Sequence, residues 1–416
     1  MVLAMTRTVP GHGDGVRRRP KDRKAQIARA SAEAFSVLGY YGVSMETIAT
    51  RVGISAAALY RHYSSKYELF CDAVLNLGQQ LVDCTAFADD AAGDPELTLR
   101  RLVSALIDTA MANRESGGLY RWEGRYLRGD DQATLTAQMR TVHHRIQRPL
   151  KAIRPELTSR QGWTLSTAGL SVIGSIVDHR AKLPAIQVRA LLADLADAVL
   201  AAEVPDVANS VVEAVPPVAA VTETSKYEAL LNESMRLFSL KGYRDTSMDD
   251  IAIAVGMPAS GIYRYFSAKS DILAAAFRRA ADRLSAELSA IVGAVPDHEE
   301  ALTAVIDAYV TRSFDLPELD YVYYTERLNM TPGDQNILRN LQRATVELWV
   351  EQVVSVRPDW TPGQARFAVH AAMSLVIDLG RLMRYENSAA ARDVVERLVD
   401  LTLLGRYRLR AALPAK

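Results

Sequence analysis

At 416 residues the chain is longer than one core usually serves, at roughly 150 residues per domain, and with 49% hydrophobic and 24% charged residues it is too apolar for wholesale disorder. Lysine plus arginine equals aspartate plus glutamate at 49 each, so overall charge neither marks nor excludes a polyanionic partner, and only local clusters are informative. The two cysteines, Cys71 and Cys84, exclude a disulfide framework, and the absence of a long apolar run predicts no membrane span or signal peptide; a cytoplasmic protein is expected.

From the N-terminus, residues 1–20 read as a disordered basic tail. Its GHGDG run at 11–15 follows no strand and so lacks the setting of a phosphate loop. RRRPKDRK at 17–24 concentrates positive charge just before the first predicted helix. The next stretch repeats itself: FSVLGYYGVSMETIATRVGISAAALYRHYSSK at 35–66 aligns without gaps on FSLKGYRDTSMDDIAIAVGMPASGIYRYFSAK at 238–269, with 15 of 32 positions identical at an offset of 203. The offset persists downstream, pairing Glu96 with Glu299, Tyr120 with Tyr323 and Glu123 with Glu326. A period this long predicts a duplicated globular domain, not a solenoid.

Apolar residues at three- and four-residue spacing in 96–114 and 130–153, bounded by proline and glycine, predict an all-α fold of about nine helices per copy. The expected division is a helix-turn-helix head at 21–80 and a helical ligand-binding and dimerisation region at 81–203. A proline- and valine-rich linker at 204–225 follows. The second head is expected at 226–283 and the second helical region at 284–412.

Ser44 and Ser247 are each placed to cap a short helix with acidic residues in its first turn, ending at Gly53 or Gly256. Ser55, or Pro258 at the same position, then opens a second short helix. A short helix, a glycine turn and a second short helix form the helix-turn-helix arrangement, whose second helix fits the DNA major groove.

The runs SMETIATRVGISAAALYRHYSSKYELF and SMDDIAIAVGMPASGIYRYFSAKSDIL resemble the signature of the tetracycline-repressor (TetR) family. The resemblance implies a three-helix DNA-reading head and a larger effector-binding and dimerisation region in each copy, with double-stranded operator DNA and a small-molecule effector as partners. It puts Tyr60 and Tyr263 on the DNA backbone and Lys66 and Lys269 on phosphates. Further DNA-facing candidates are Ser44, Ser55, Ala56, Ala57, Arg61 and His62 in copy one. In copy two they are Ser247, Ala259, Ser260, Arg264 and Tyr265. Tyr63 and Phe266 are expected to pack the heads. The short residues opening each recognition helix offer no bidentate arginine contact to guanine. The basic run at 17–24 has no counterpart in TETSKYE at 222–228, so copy one is expected to dominate DNA affinity.

Helices at 159–182 with 185–203, and 361–386 with 388–407, are the ones expected to dock, either within one chain as a pseudo-dimer or between chains as a homodimer. Tyr120, Trp122, Glu123 and Tyr126, with Tyr323 and Glu326, are candidates for an effector pocket whose apolar lining would suit a lipid-like or aromatic molecule. His143, His144 and His179 fall in no metal or nucleophile motif, so no catalytic residue, metal or cofactor is expected. The competing reading is a helical ligand-binding or protein-interaction module without DNA recognition.

Overall fold

The computed structural model describes residues 23–90, 93–206 and 226–406. The expected tail at 1–20, residues 17–22 of the basic run, and 207–225 of the expected linker lie outside the described residues.

Helix is the only regular structure among the described residues. In copy one, α1 (Arg23–Gly42), α2 (Met45–Val52) and α3 (Ala56–Tyr60) form the head, and α4 (Lys66–Thr85) leads away from it. The larger region continues through α5 (Pro95–Ala112), α6 (Gly129–Ile153), α7 (Ser159–Gly174) and α8 (Ala185–Leu200). Copy two repeats the order as α9 (Lys226–Lys241), α10 (Met248–Ala254), α11 (Ala259–Ile262), α12 (Lys269–Ala294) and α13 (His298–Asp315). It then adds α14 (Pro317–Glu326) before α15 (Pro332–Val356), α16 (Pro362–Leu382) and α17 (Ala389–Leu404).

Copy one therefore has eight α-helices among the described residues where about nine were expected. Its counterpart of α14 is a π-helical turn, Leu119–Glu123, followed by a 3-10 turn, Gly124–Tyr126. Glycine explains the difference. Gly117 and Gly124 lie so close to Val177 and Leu135 that a β-carbon would come within 2.6 and 2.8 Å of their side chains. Copy two has no glycine there and starts α14 on Pro317, which suits a first helical turn. The expected helix at 159–182 also stops early, at Gly174, where the Arg121 guanidinium occupies the space a side chain would need.

The buried apolar residues form three clusters, one in each head and one shared by both copies. At the centre of the shared cluster is a four-helix bundle: α7 packs on α8 and on α16, and α17 packs on α16 and on α8. The docking faces thus meet within one chain. On α16, 13 of 21 residues are buried, on every side of the helix, as expected of a helix covered all round. Alanines 368, 371 and 372 let its neighbours approach, and Gly363 lies 2.7 Å, measured from where its β-carbon would be, from the Leu183 side chain of the other copy. No helix among the described residues is long and apolar enough to cross a membrane.

The bundle is not symmetric inside. His179 stacks on His370 with centroids 4.2 Å apart, and Phe367 meets His179 edge-on at 4.6 Å. At the offset of 203, the equivalents of these histidines are Leu382 and Thr167. Burial, then the neighbouring cations, pushes both imidazoles down, His370 to about 4.

Two outcomes follow. Phe367 is fully buried between the copies, so Phe367→Ala should cost about 3–5 kcal/mol by urea unfolding of the whole chain. An unfolded histidine titrates near 6.5, above the folded value of about 4 for His370. The unfolded state therefore takes up protons first, and the stability present above about pH 6.5 is lost as pH falls toward about 4. The urea midpoint should drop across that window, and less steeply in His370→Gln.

Candidate nucleic-acid interface

Each head is built by capping. Ser44 Oγ accepts from Thr47 N and Ser55 Oγ from Ala58 N at 3.1 Å, starting α2 and α3. Gly53 turns between them in the left-handed region, φ 70°, which a side chain would strain. In copy two Ser247 and Asp250 cap each other reciprocally, Gly256 makes the turn at φ 64°, and Pro258 opens α11. The cap hydrogen bonds and Lys241 hold the Asp250 carboxyl well below the usual range.

The recognition helices turn the expected residues outward. Ser44, Ser55, Ala57, Tyr60, Arg61 and His62 are exposed in copy one, as are Ser247, Ser260, Tyr263, Arg264 and Tyr265 in copy two; Ala56 and Ala259 are half-buried. Tyr60 and Tyr263 keep 50% and 57% of their surface in solvent, open to a partner laid on these helices. Tyr63 and Phe266 point inward, and the Tyr63 hydroxyl donates to Asp72.

The two lysines have work inside the fold. Lys66 Nζ donates to Val43 O at 3.2 Å and lies 4.7 Å from the Tyr40 ring centre. Lys269 Nζ donates to Tyr243 O at 2.7 Å and Thr246 O at 2.5 Å, again 4.7 Å from the ring of Tyr243. Burial, then Arg244, lowers both ammonium pKa values. Each lysine thus pins the start of α4 or α12 to the end of the head's first helix, a role that sequence reasoning missed. The signal was present: the Gly-Tyr pair at 39–40 recurs at 242–243, and both glycines take positive φ.

The effector candidates converge on the seam between copies. Trp122 stacks on Tyr324, centroids 4.4 Å apart, and donates to Asp178 Oδ1 at 2.7 Å. Arg121 lies between Asp178, 3.4 Å, and Asp378 of the other copy, 2.9 Å. Glu123 accepts from Tyr40 N at 2.8 Å. Arg125 bridges Glu123 and Glu326 at 3.8 and 3.5 Å, and both carboxyls are pushed up by burial against its pull. Tyr126 packs on Tyr40 and Tyr41, and Tyr120 sits between the bundle and the core of head one. Of the six candidates, Tyr323 lines a cavity of about 140 Å³ in copy two. No group of three or more metal-ligating side chains occurs among the described residues.

The seam reaches the heads. The Arg244 guanidinium lies 3.5 Å from the ring centre of Tyr41. These two residues are equivalents at the offset of 203, so they meet across the pseudo-twofold relation of the copies.

A family model described as bacterial regulatory proteins, tetR family, matches residues 27–73 and 230–276, the two heads. The chain is 36% identical over 92 residues to the HTH-type transcriptional activator FasR of Mycolicibacterium smegmatis, covering 22% of this chain and 42% of that protein. It is 30% identical over 145 residues to the nucleoid occlusion factor SlmA of Alteromonas mediterranea, covering 35% and 73%. A solved TetR-family regulator from Bordetella parapertussis superposes with a TM-score of 0.40 at 18% identity, over 43% of this chain and 95% of its own.

Removing Arg121 would take away the cation that lies between Asp178 and Asp378. Arg121→Met should cost about 3–5 kcal/mol, measured by urea unfolding. Equal stability of variant and wild type would mean that the seam does not hold the copies together.

Proposed function

The chain belongs to the tetR family of bacterial regulatory proteins, twice over, and on that premise we propose that it is a sequence-specific DNA-binding regulator that presents both reading heads from one polypeptide. The observation that carries this reading is the pair of exposed recognition helices joined through a single shared bundle. A symmetric pair of heads reads a palindrome with half-sites about 34 Å apart or a multiple of it. Here the heads differ where a recognition helix first meets base edges, Ser55-Ala56-Ala57-Ala58 against Pro258-Ala259-Ser260-Gly261. The favoured operator is therefore a directional one, with two unlike half-sites.

Head one supplies the larger share of affinity. Copy one carries the basic run at 17–24, while copy two carries Asp245 just before α10 and Asp249 and Asp250 in its first turn. A more positive head gains more from counterion release. The proposed mode is repression relieved by a small effector; the contacts that fix the spacing of two heads are contacts a ligand can alter. An equal-affinity ligand would shift nothing.

The decisive measurement uses the whole chain, its own upstream DNA and random duplex at two salt concentrations. Tyr60→Ala and Tyr263→Ala are better probes than lysine substitutions, which would also unpin a helix. Each should weaken specific binding about tenfold with the melting temperature unchanged, Tyr60→Ala by more. Reversing one half-site should weaken wild type as well. Binding indifferent to sequence and to both tyrosines would leave a helical ligand-binding module. A reporter that falls when the gene is deleted would reverse the sign to activation.

A further inference from the structure

We propose that the chain carries one small-molecule site, the cavity of copy two, and that this site takes a ligand of about one aromatic ring bearing an amine or hydroxyl that donates to Asp320. The proposal rests on the ligand-responsive reading above and gives it a single sensor for two heads.

Size comes first. The cavity holds about 140 Å³, and an engineered apolar cavity of about 150 Å³ accommodates one benzene. Its walls are largely aromatic and aliphatic, with Phe277, Tyr309, Tyr323, Tyr324 and Leu338 among them, which suits a flat apolar body.

Polarity comes second. Asp320 lines the same cavity; Ser313 hydrogen-bonds its carboxyl, while its Oδ2 is closed off from solvent without a hydrogen-bond partner. A buried acceptor left unpaired is costly, so a donor brought by the ligand recovers that cost. The cation in the wall, Arg312, is already engaged: it donates to Ala280 O at 2.8 Å and lies 3.7 Å from Glu287. A ligand carboxylate would meet Asp320 before it found a free guanidinium. Ala280, Arg312 and Leu319 also line a surface groove between α9, α12 and α14, so groove and cavity share a wall.

Copy one fills the corresponding space. At the offset of 203 the partners of Asp320 and Tyr324 are Gly117 and Arg121. Gly117 is covered by Val177, whose Cγ1 would stand 2.6 Å from a β-carbon there, and Gly78 by the Gln138 amide, whose Oε1 would stand at 2.2 Å. Arg121 is drawn away to Asp178 and Asp378. At these equivalent positions copy one has neither the acidic anchor nor the room.

Four probes of matched size, benzylamine, benzyl alcohol, toluene and benzoate, titrated calorimetrically into the full chain, test this. The expected result is one equivalent per chain, with the amine and alcohol binding more tightly than toluene and benzoate weakest. Asp320→Asn should weaken the amine about tenfold and leave toluene unchanged. Ala281→Leu, which fills the cavity without touching its polar groups, should abolish all four, and so tests the site should the Asp320 variant not fold. Benzoate binding at least as well as benzylamine, two equivalents per chain, or no binding by any probe would overturn the proposal. DNA affinity is read in a separate titration. Probe binding that leaves DNA affinity untouched would keep the site and sink the ligand-responsive reading instead.

Discussion

A helix that is apolar on every side must be covered on every side, and α16 is such a helix. The α7 and α8 pair of copy one completes its cover, so the two copies share one core instead of each burying its own. Each fully buried large side chain in that core contributes roughly 1.5–3 kcal/mol, so separating the halves would expose far more than a marginally stable domain can tolerate. The orientation of the heads, the polar seam and the placement of the cavity all follow from that docking.

Docking two copies within one chain removes a restriction that binds homodimers. In a homodimer a residue on the twofold axis meets itself, so a charge there meets a like charge. Here Tyr41 meets Arg244 at the equivalent position, and Arg125 reaches between the equivalent acids Glu123 and Glu326 while its own counterpart is Leu328. Two buried glutamates near an axis would repel. One arginine, supplied from one side only, turns that repulsion into a bridge. The stacked His179 and His370, with Leu382 and Thr167 at the mirrored positions, show the same divergence.

Much of this was legible in the sequence because it is local. The caps at Ser44, Ser55 and Ser247, the turns at Gly53 and Gly256, and the outward face of the recognition helices follow from residue type and spacing. The repeat at 203 residues announced the duplication. The seam was not legible, since it depends on which side chains from different copies arrive at the same place. Trp122, Glu123 and Tyr126 have the composition of a pocket lining, yet their partners are Tyr324, Tyr40 and Tyr41. The lysines were read as phosphate ligands because their position says so, while the carbonyls that hold them lie 23 residues or more away.

The seam also decides how a signal could travel. Tyr324 is at once a wall of the copy-two cavity and the stacking partner of Trp122 in copy one. Trp122 is followed by Glu123, which accepts from the backbone of Tyr40 at the end of α1, beside Tyr41 and its contact with Arg244. A shift of Tyr324 therefore bears on the head of the opposite copy through packed and hydrogen-bonded groups. Contiguity alone does not make a pathway. It does set a requirement: a ligand acts on DNA binding only through a difference in its affinity for two seam arrangements. Since Arg121 and Arg125 each reach an acid of the other copy, a change of seam arrangement bears on both heads.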